Sequence, residues 1–241
     1  MGYTFVLVHG SWHDNQAWAP VIARLEQQGH KAHAPTLAGH ARDASKGVSH
    51  ADCVASLVDY IRRNDLKDFI LVGHSFGGTV IQPAAEQLSD RIRRLVFWNA
   101  FVLNDGECLE DNAPPHYKAL FDQIEQPDGG VMLPWPIWRD AFIGDADEAL
   151  AKKAYDMLSP TPRRSHTDKV PLKSFFSLQI PKSYLNCTED IALPPGPEFG
   201  WHPRMSSRLG LYRLVQMPGS HEAIFTNPVL LADKLVEAGR D

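Results

Sequence analysis

Cysteine is scarce in this chain, with 3 in 241 residues, and Cys53, Cys108 and Cys187 stand at neither CxxC nor zinc spacing. An odd number leaves one thiol outside any disulfide scheme, which speaks for a reducing compartment. Long apolar runs are also missing. Nothing approaches the ~20 residues that a membrane helix needs, and no signal-type leader precedes the strand-like Tyr3–Val8. Gly2 follows Met1, but Val6 stands where a myristoylation signal wants Ser or Thr. A cytoplasmic protein without a membrane partner is expected. Asn186-Cys187-Thr188 matches a glycosylation pattern that such a chain never uses. There is no block of Lys and Arg either: 24 Lys+Arg against 29 Asp+Glu give a net charge of −5, which argues against nucleic acid and for a small-molecule substrate. Repeats of 20–50 residues are absent, which removes solenoids and propellers.

What is present is alternation of strand and helix in a chain that is 44% hydrophobic. Phe5–Val8 is a short, continuously apolar run, as a parallel strand covered on both faces requires. Ala17, Val21, Ile22 and Leu25 follow with helical spacing and stop at Gly29. Lys31–Pro35 reads as a second strand, and Cys53, Val54, Leu57, Val58 and Ile61 form the apolar stripe of a helix begun by Ser49. Phe69–Val72, a helix over Thr79–Leu88 and a strand over Leu95–Trp98 continue the pattern. It degrades between residues 105 and 172, where Pro and Gly pairs interrupt short helical pieces such as Glu148–Leu158. Ser183–Leu185 and Leu211–Met217 then read as the last strands, and Asn227-Pro228 opens a closing helix. The fold class is therefore α/β, a mainly parallel central sheet with helices on both faces. Residues 1–104 and 173–241 form the core, and 105–172 a small inserted cap over the edge where ligands of open α/β sheets bind.

The sharpest local feature is Gly73-His74-Ser75-Phe76-Gly77-Gly78, between a buried strand and an apolar helix. A strand–turn–helix of this composition holds a serine hydroxyl above the sheet, with helix N–H groups aimed at developing negative charge. Serine needs a base held by a third group. His221, in Pro218-Gly-Ser-His221 between the last strand and the last helix, can reach back over the sheet edge. Asp190 directly follows the penultimate strand and is the first candidate for the acid; Glu189 and Asp105 are the alternatives. His9-Gly10-Ser11-Trp12-His13 after the first strand is the fourth element. Main-chain N–H groups of Ser11 and Phe76 would form an oxyanion hole. His9 and His13 lack a third ligand at zinc spacing, so no metal site is expected, and His9 is read as ordering its loop by hydrogen bonds. Trp12, Trp135 and Trp138 are candidate pocket residues; for the last two, docking of the cap onto the sheet is the equal alternative.

These same segments, Val8–His13 with Trp18, Gly73–Gly78, Asn186–Asp190 and Gly219–His221, resemble the α/β-hydrolase group that contains plant methylesterases, polyneuridine aldehyde esterase and hydroxynitrile lyases. The resemblance spans nearly the whole chain and is loosest in the cap. It implies a Ser-Asp-His esterase without cofactor, and it supports Asp190, which ends a Cys-Thr-Glu-Asp run like that of the family. Two positions depart from the cyanogenic lyases of the group, which carry Lys after the histidine and Thr in the first loop. Here those positions hold Glu222 and Ser11. The expected activity is hydrolysis of a small, largely apolar carboxylic or carbamic ester. A ligand-binding protein with negligible turnover is the rival reading, and a hydroxynitrile lyase the remoter one.

Overall fold

The computed structural model describes residues 2–241. The chain begins with β1 (Thr4–Val8), a 3-10 turn over Asn15–Trp18, α1 (Ala19–Gln27), β2 (Lys31–His33), α2 (His50–Arg63), β3 (Phe69–His74), α3 (Gly77–Gln87) and β4 (Ile92–Trp98). It then leaves the sheet for α4 (Pro115–Ile124), β5 (Gly130–Val131), α5 (Trp135–Ile137), a π-turn over Trp138–Phe142, α6 (Glu148–Met157), β6 (Thr161–Pro162) and α7 (Arg163–Thr167). It returns in β7 (Lys182–Cys187) and β8 (Arg213–Met217), and ends with α8 (Ala223–Thr226) and α9 (Pro228–Gly239).

The six-stranded sheet has the order β2-β1-β3-β4-β7-β8, and every neighbouring pair runs parallel. Successive side chains of a strand point to opposite faces, so each strand feeds two cores. Val6, Val8, Leu71, Phe97 and Tyr184 pack with α2 and α3. Phe5, Leu7, Ile70, Val72, Val96 and Leu185 pack with α1 and α9 on the other side. This double burial is why the strands read as continuous apolar runs rather than as alternation.

Local chemistry sets the helix ends. Gly29, at φ 83°, closes α1 by a Schellman motif in which His30 N–H donates to Leu25 O (3.0 Å) and Gly29 N–H to Glu26 O (2.9 Å). Ser49 and Asp52 form a reciprocal capping box at the start of α2. The side chain of Asn227 accepts from Leu230 N–H at the start of α9, where Pro228 occupies the first turn. Two strands are shorter than their sequence suggests. β2 stops at His33, and β8 begins at Arg213 because pairing with Ser183 starts there; Leu211 lies outside the sheet and is 95% exposed.

The strand order reverses between β1 and β3: the connection from β1 leads to β2 on one side, while β3 and β4 lie on the other. A crevice opens at such a switch point, above the C-terminal strand ends. The loops after β1 and β3, which carry Ser11 and Ser75, flank it.

Truncation separates core from surface. Leu235 of α9 is fully buried between sheet and helix, so Leu235→Ala is expected to lower unfolding free energy by about 2–5 kcal/mol. Leu211→Ala is expected to stay within about 0.5 kcal/mol of the parent chain. Urea denaturation of the two variants checks the contrast.

Candidate active site

The turn after β3 is held by contact between backbones. A Cβ on Gly73 would meet Gly77 C and O at 2.8 Å, and one on Gly77 would meet Val8 O and His9 O at 2.8 Å. These distances exclude any side chain, which is why the segment carries glycines. Between them Ser75 adopts φ 53°, a left-handed conformation that a residue with a Cβ occupies at a cost of about 1–2 kcal/mol. The turn is fixed from both sides: Ser75 N–H donates to Trp98 O (3.2 Å), and Ser75 O accepts from Phe101 N–H (3.2 Å) and Gly78 N–H (3.1 Å). Phe76 follows at the N-terminus of α3, where main-chain N–H groups lack helical acceptors.

Asp190 lies in the turn after β7, and His221 in the loop between β8 and α8. The Asp190 carboxylate has three donors: His221 Nδ1–H at 2.6 Å, Ala192 N–H at 2.9 Å and the Asn99 side-chain amide. Its side chain is 0% exposed. Asn99 is in turn fixed by Cys187 N–H, which donates to its Oδ1 (2.6 Å). With Nδ1 committed to Asp190, Nε2 is the nitrogen of His221 left for a reacting group. The ring is clamped by Trp201, stacked at 5.2 Å, by Phe142 edge-on at 5.2 Å and by His74 at 4.7 Å. Glu189 is exposed, and the Asp105 carboxylate accepts from Leu172 N–H (2.8 Å), so neither meets His221.

Ser75 and His221 line one narrow pocket. Its walls are hydrocarbon from Trp12, Phe101, Tyr117, Phe121, Phe142 and Trp201. The hydroxyl of Tyr117 is taken up by Ala192 O (3.0 Å), so the polar groups of the lining come from Ser11, Ser75, His166 and His221. Of the three tryptophans singled out in the sequence, Trp12 lines this pocket. Trp135 and Trp138 do not: Trp138 is fully buried and donates Nε1–H to Ala151 O (3.1 Å), and Trp135 packs edge-on to Tyr155. These contacts lie within the segment between β4 and β7, and Trp138 also meets His13 and Phe225 outside it. The pocket also draws Ala192, Leu193 and Trp201 from the chain beyond residue 172.

Compared with known proteins, the chain matches the alpha/beta hydrolase family over residues 5–234. The chain belongs to this family. It is 27% identical to a carbendazim hydrolyzing esterase of Nocardioides sp. (strain SG-4G), over 98% of this chain and 99% of that protein. It is 29% identical to salicylic acid-binding protein 2 of Nicotiana tabacum, over 98% and 96%. Among solved structures, an extracellular alpha/beta-hydrolase from a Paenibacillus species superposes with a TM-score of 0.96 at 43% identity, covering 99% of this chain and 100% of that one. That protein is described as sharing structural and functional homology with the tobacco protein.

The loop after β1 is held largely by buried histidines. His9 Nε2 accepts from Leu37 N–H (3.1 Å), so its Nδ1 carries the proton and donates to Gly10 O (2.8 Å). Gly10 O and Ser11 N–H belong to one planar peptide, so fixing the first aims the second. His13 bonds Ser11 O at 2.6 Å, and His166 Nε2 bonds Ser11 Oγ at 2.8 Å. Further tethers come from Trp12 Nε1–H to Val131 O (2.9 Å) and from Ser159 N–H to Trp12 O (2.9 Å). Asn99, His166 and Trp201 were missed in the sequence. Asn99 directly follows the Leu95–Trp98 strand, where a site residue is expected; the other two sit in stretches without periodicity.

Burial pushes the imidazoles of His9 and His50 down to about 4 and that of His166 to about 3, and holds His40 and His74 well below the usual histidine value. All five are neutral in the folded chain, whereas the unfolded chain protonates them near 6.5. Between about pH 6.5 and 4 the unfolded state binds more protons, so stability rises with pH in that window and is lost on acidification. Burial also opposes charge on His13, but the carboxylate of Glu222 outweighs it and raises its pKa, so His13 contributes in the opposite direction. The net expectation is a steep acid transition below pH 6, each neutral histidine adding up to ~1.4 kcal/mol per pH unit. Urea midpoints at pH 7, 6, 5 and 4.5 test this; a flat profile would refute it.

Proposed function

We propose that this protein is a serine hydrolase acting on a small, largely apolar carboxylic or carbamic ester. The observation that carries the reading is that His221, bonded to the buried Asp190, shares one apolar pocket with Ser75, which stands on a turn that only glycines permit.

In the proposed cycle, Ser75 Oγ attacks the carbonyl carbon while His221 Nε2 takes the hydroxyl proton. The carbonyl oxygen gains the negative charge, held by the main-chain N–H groups of Ser11 and Phe76. Collapse of the tetrahedral intermediate breaks the carbon–oxygen bond to the leaving alcohol, which receives the proton from His221. Water then attacks the acyl-enzyme with His221 again as base, which frees the acid and restores Ser75. Asp190 keeps Nδ1 protonated and stabilises the imidazolium in both halves. Residues 105–172 act as the cap that excludes water, joined by the stretch around Ala192 and Trp201. Ester and carbamate carbonyls pass through similar tetrahedral intermediates, and the carbendazim hydrolyzing relative supports including carbamates.

Lyase chemistry is not favoured, because Glu222 occupies the position where the cyanogenic enzymes of the group hold a lysine. The three cysteines are free, which supports a reducing cytoplasm as the location. Among the described residues no helix is long and apolar enough to cross a membrane. The Paenibacillus protein is described as extracellular, so fractionation of the native host is the deciding measurement.

Fluorophosphonate is expected to add one adduct to the parent chain and none to Ser75→Ala. Ester turnover in that variant should fall by about a million-fold. An unlabelled parent chain, with equal rates for both, would instead overturn the serine-hydrolase reading. Asp190→Asn is expected to lower kcat by about 10,000-fold, because the imidazole tautomer is lost, while Asp105→Asn stays near the parent rate. Comparable losses in these two variants would remove Asp190 from its role.

A further inference from the structure

His13 and Glu222 meet beside the pocket, with His13 Nε2 at 3.2 Å from Glu222 Oε2 and side-chain exposures of 4% and 1%. Among the described residues the two atoms are within ion-pair distance of each other but outside hydrogen-bond geometry, and neither has a hydrogen-bond partner. The bonding pattern fixes the proton count. Ser11 O can only accept, so His13 Nδ1 must donate to it (2.6 Å). A neutral ring with its proton on Nδ1 would then turn a lone pair towards the carboxylate, so the close approach requires a proton between Nε2 and Oε2. The pair therefore holds one proton between its two facing atoms and carries no net charge, and the Glu222 carboxyl favours the charged form of the ring. Phe225 stacks on His13 at 5.8 Å and Trp138 lies at 6.0 Å, keeping water away.

Glu222 directly follows His221, and both border one small void together with Ser75, Ser11 and His13. We propose that His13 and Glu222 are a positioning pair, in which His13 cancels the carboxylate beside His221 and ties the oxyanion loop to the loop of the catalytic histidine. The proposal rests on the reading of Ser75 and His221 as nucleophile and base. It assigns Glu222 a role that neither the Ser-Asp-His order nor the family match supplies.

The charged groups around His221 are few. Asp190 faces Nδ1, and His74 packs against the ring in its neutral form. Asp145 is occupied by Ser220 N–H (3.2 Å) and Thr226 Oγ (2.9 Å), and Glu189 is exposed. On the side of His13, Asp14 is half-buried and its carboxylate favours the charged ring as Glu222 does, while His9 is neutral. Removing the charge of His13 therefore leaves Glu222 as an uncompensated buried carboxylate next to the catalytic imidazole, which favours the imidazolium.

The test is the acid limb of kcat/KM for p-nitrophenyl acetate, which reports the imidazole of the free enzyme. His13→Gln is expected to move that limb up by about 1 pH unit. Glu222→Gln, and the double variant with both changes, remove the carboxylate and should lie within about 0.3 unit of the parent. A limb for His13→Gln that coincides with the parent, or a double variant that keeps the shift, would overturn the pair. Nitrogen-15 histidine NMR of the parent chain gives a second readout that needs no variant. His13 is expected as a doubly protonated ring at pH 7, and a neutral ring there also overturns the proposal. Fluorophosphonate labelling of the parent separates the two failures: a labelled enzyme with an unmoved limb sinks only the pair, whereas an unlabelled one sinks the hydrolase reading beneath it.

Discussion

Ser75 sits in the left-handed region because no other conformation is open to it. Gly77 lies against the ends of β1, Gly73 lies against Gly77, and the amide and carbonyl of Ser75 are both bonded to the chain around β4. The strain is held in place by three strands at once, so the hydroxyl is fixed by the sheet itself and not by a flexible loop. Everything that faces Ser75 is placed relative to this turn: α3 leaves from it, the first loop packs beside it, and the pocket opens above it.

The second tier is a set of buried histidines. His9 and His13 hold successive carbonyls of the loop after β1, and His166 reaches in from α7 to hold its serine hydroxyl. A buried imidazole serves well here because one ring can donate at one nitrogen and accept at the other. The price is sensitivity to acid, since most of these rings must shed a proton before the chain can close around them. His13 differs from the rest because a carboxylate shares its site. One family of side chains thus yields neutral struts in one place and an ion pair in another, and the neighbours decide which.

The strands and main helices were legible because each is set by local rules. Continuous apolar runs gave the doubly covered strands, the serine at position 49 gave the start of a helix, and the glycine at 29 gave an end. The order of Ser75, Asp190 and His221 gave a candidate site, with Glu189 and Asp105 still competing for the acid. Burial and the donors Asn99 and Ala192 single out Asp190 as the carboxylate that meets His221, and Asn99 and His221 come from two distant turns that no sequence spacing relates to it. The segment between β4 and β7 resisted reading because its helices are short and broken by proline. Its burial also comes from aromatic contacts across the segment rather than from a periodic stripe. Trp135 and Trp138 show the consequence: two tryptophans near a predicted pocket, both turned into the packing of that segment.

The sequence by itself determined the sheet, its helices and the glycine turn under Ser75, because period, caps and the need for bare backbone act within a few residues. The tertiary structure decided which carboxylate faces His221, which aromatics line the pocket, and that Glu222 is met by His13. Those outcomes depend on side chains from distant turns arriving in one dry space, where an unpaired polar group is costly and each must find its partner across the fold.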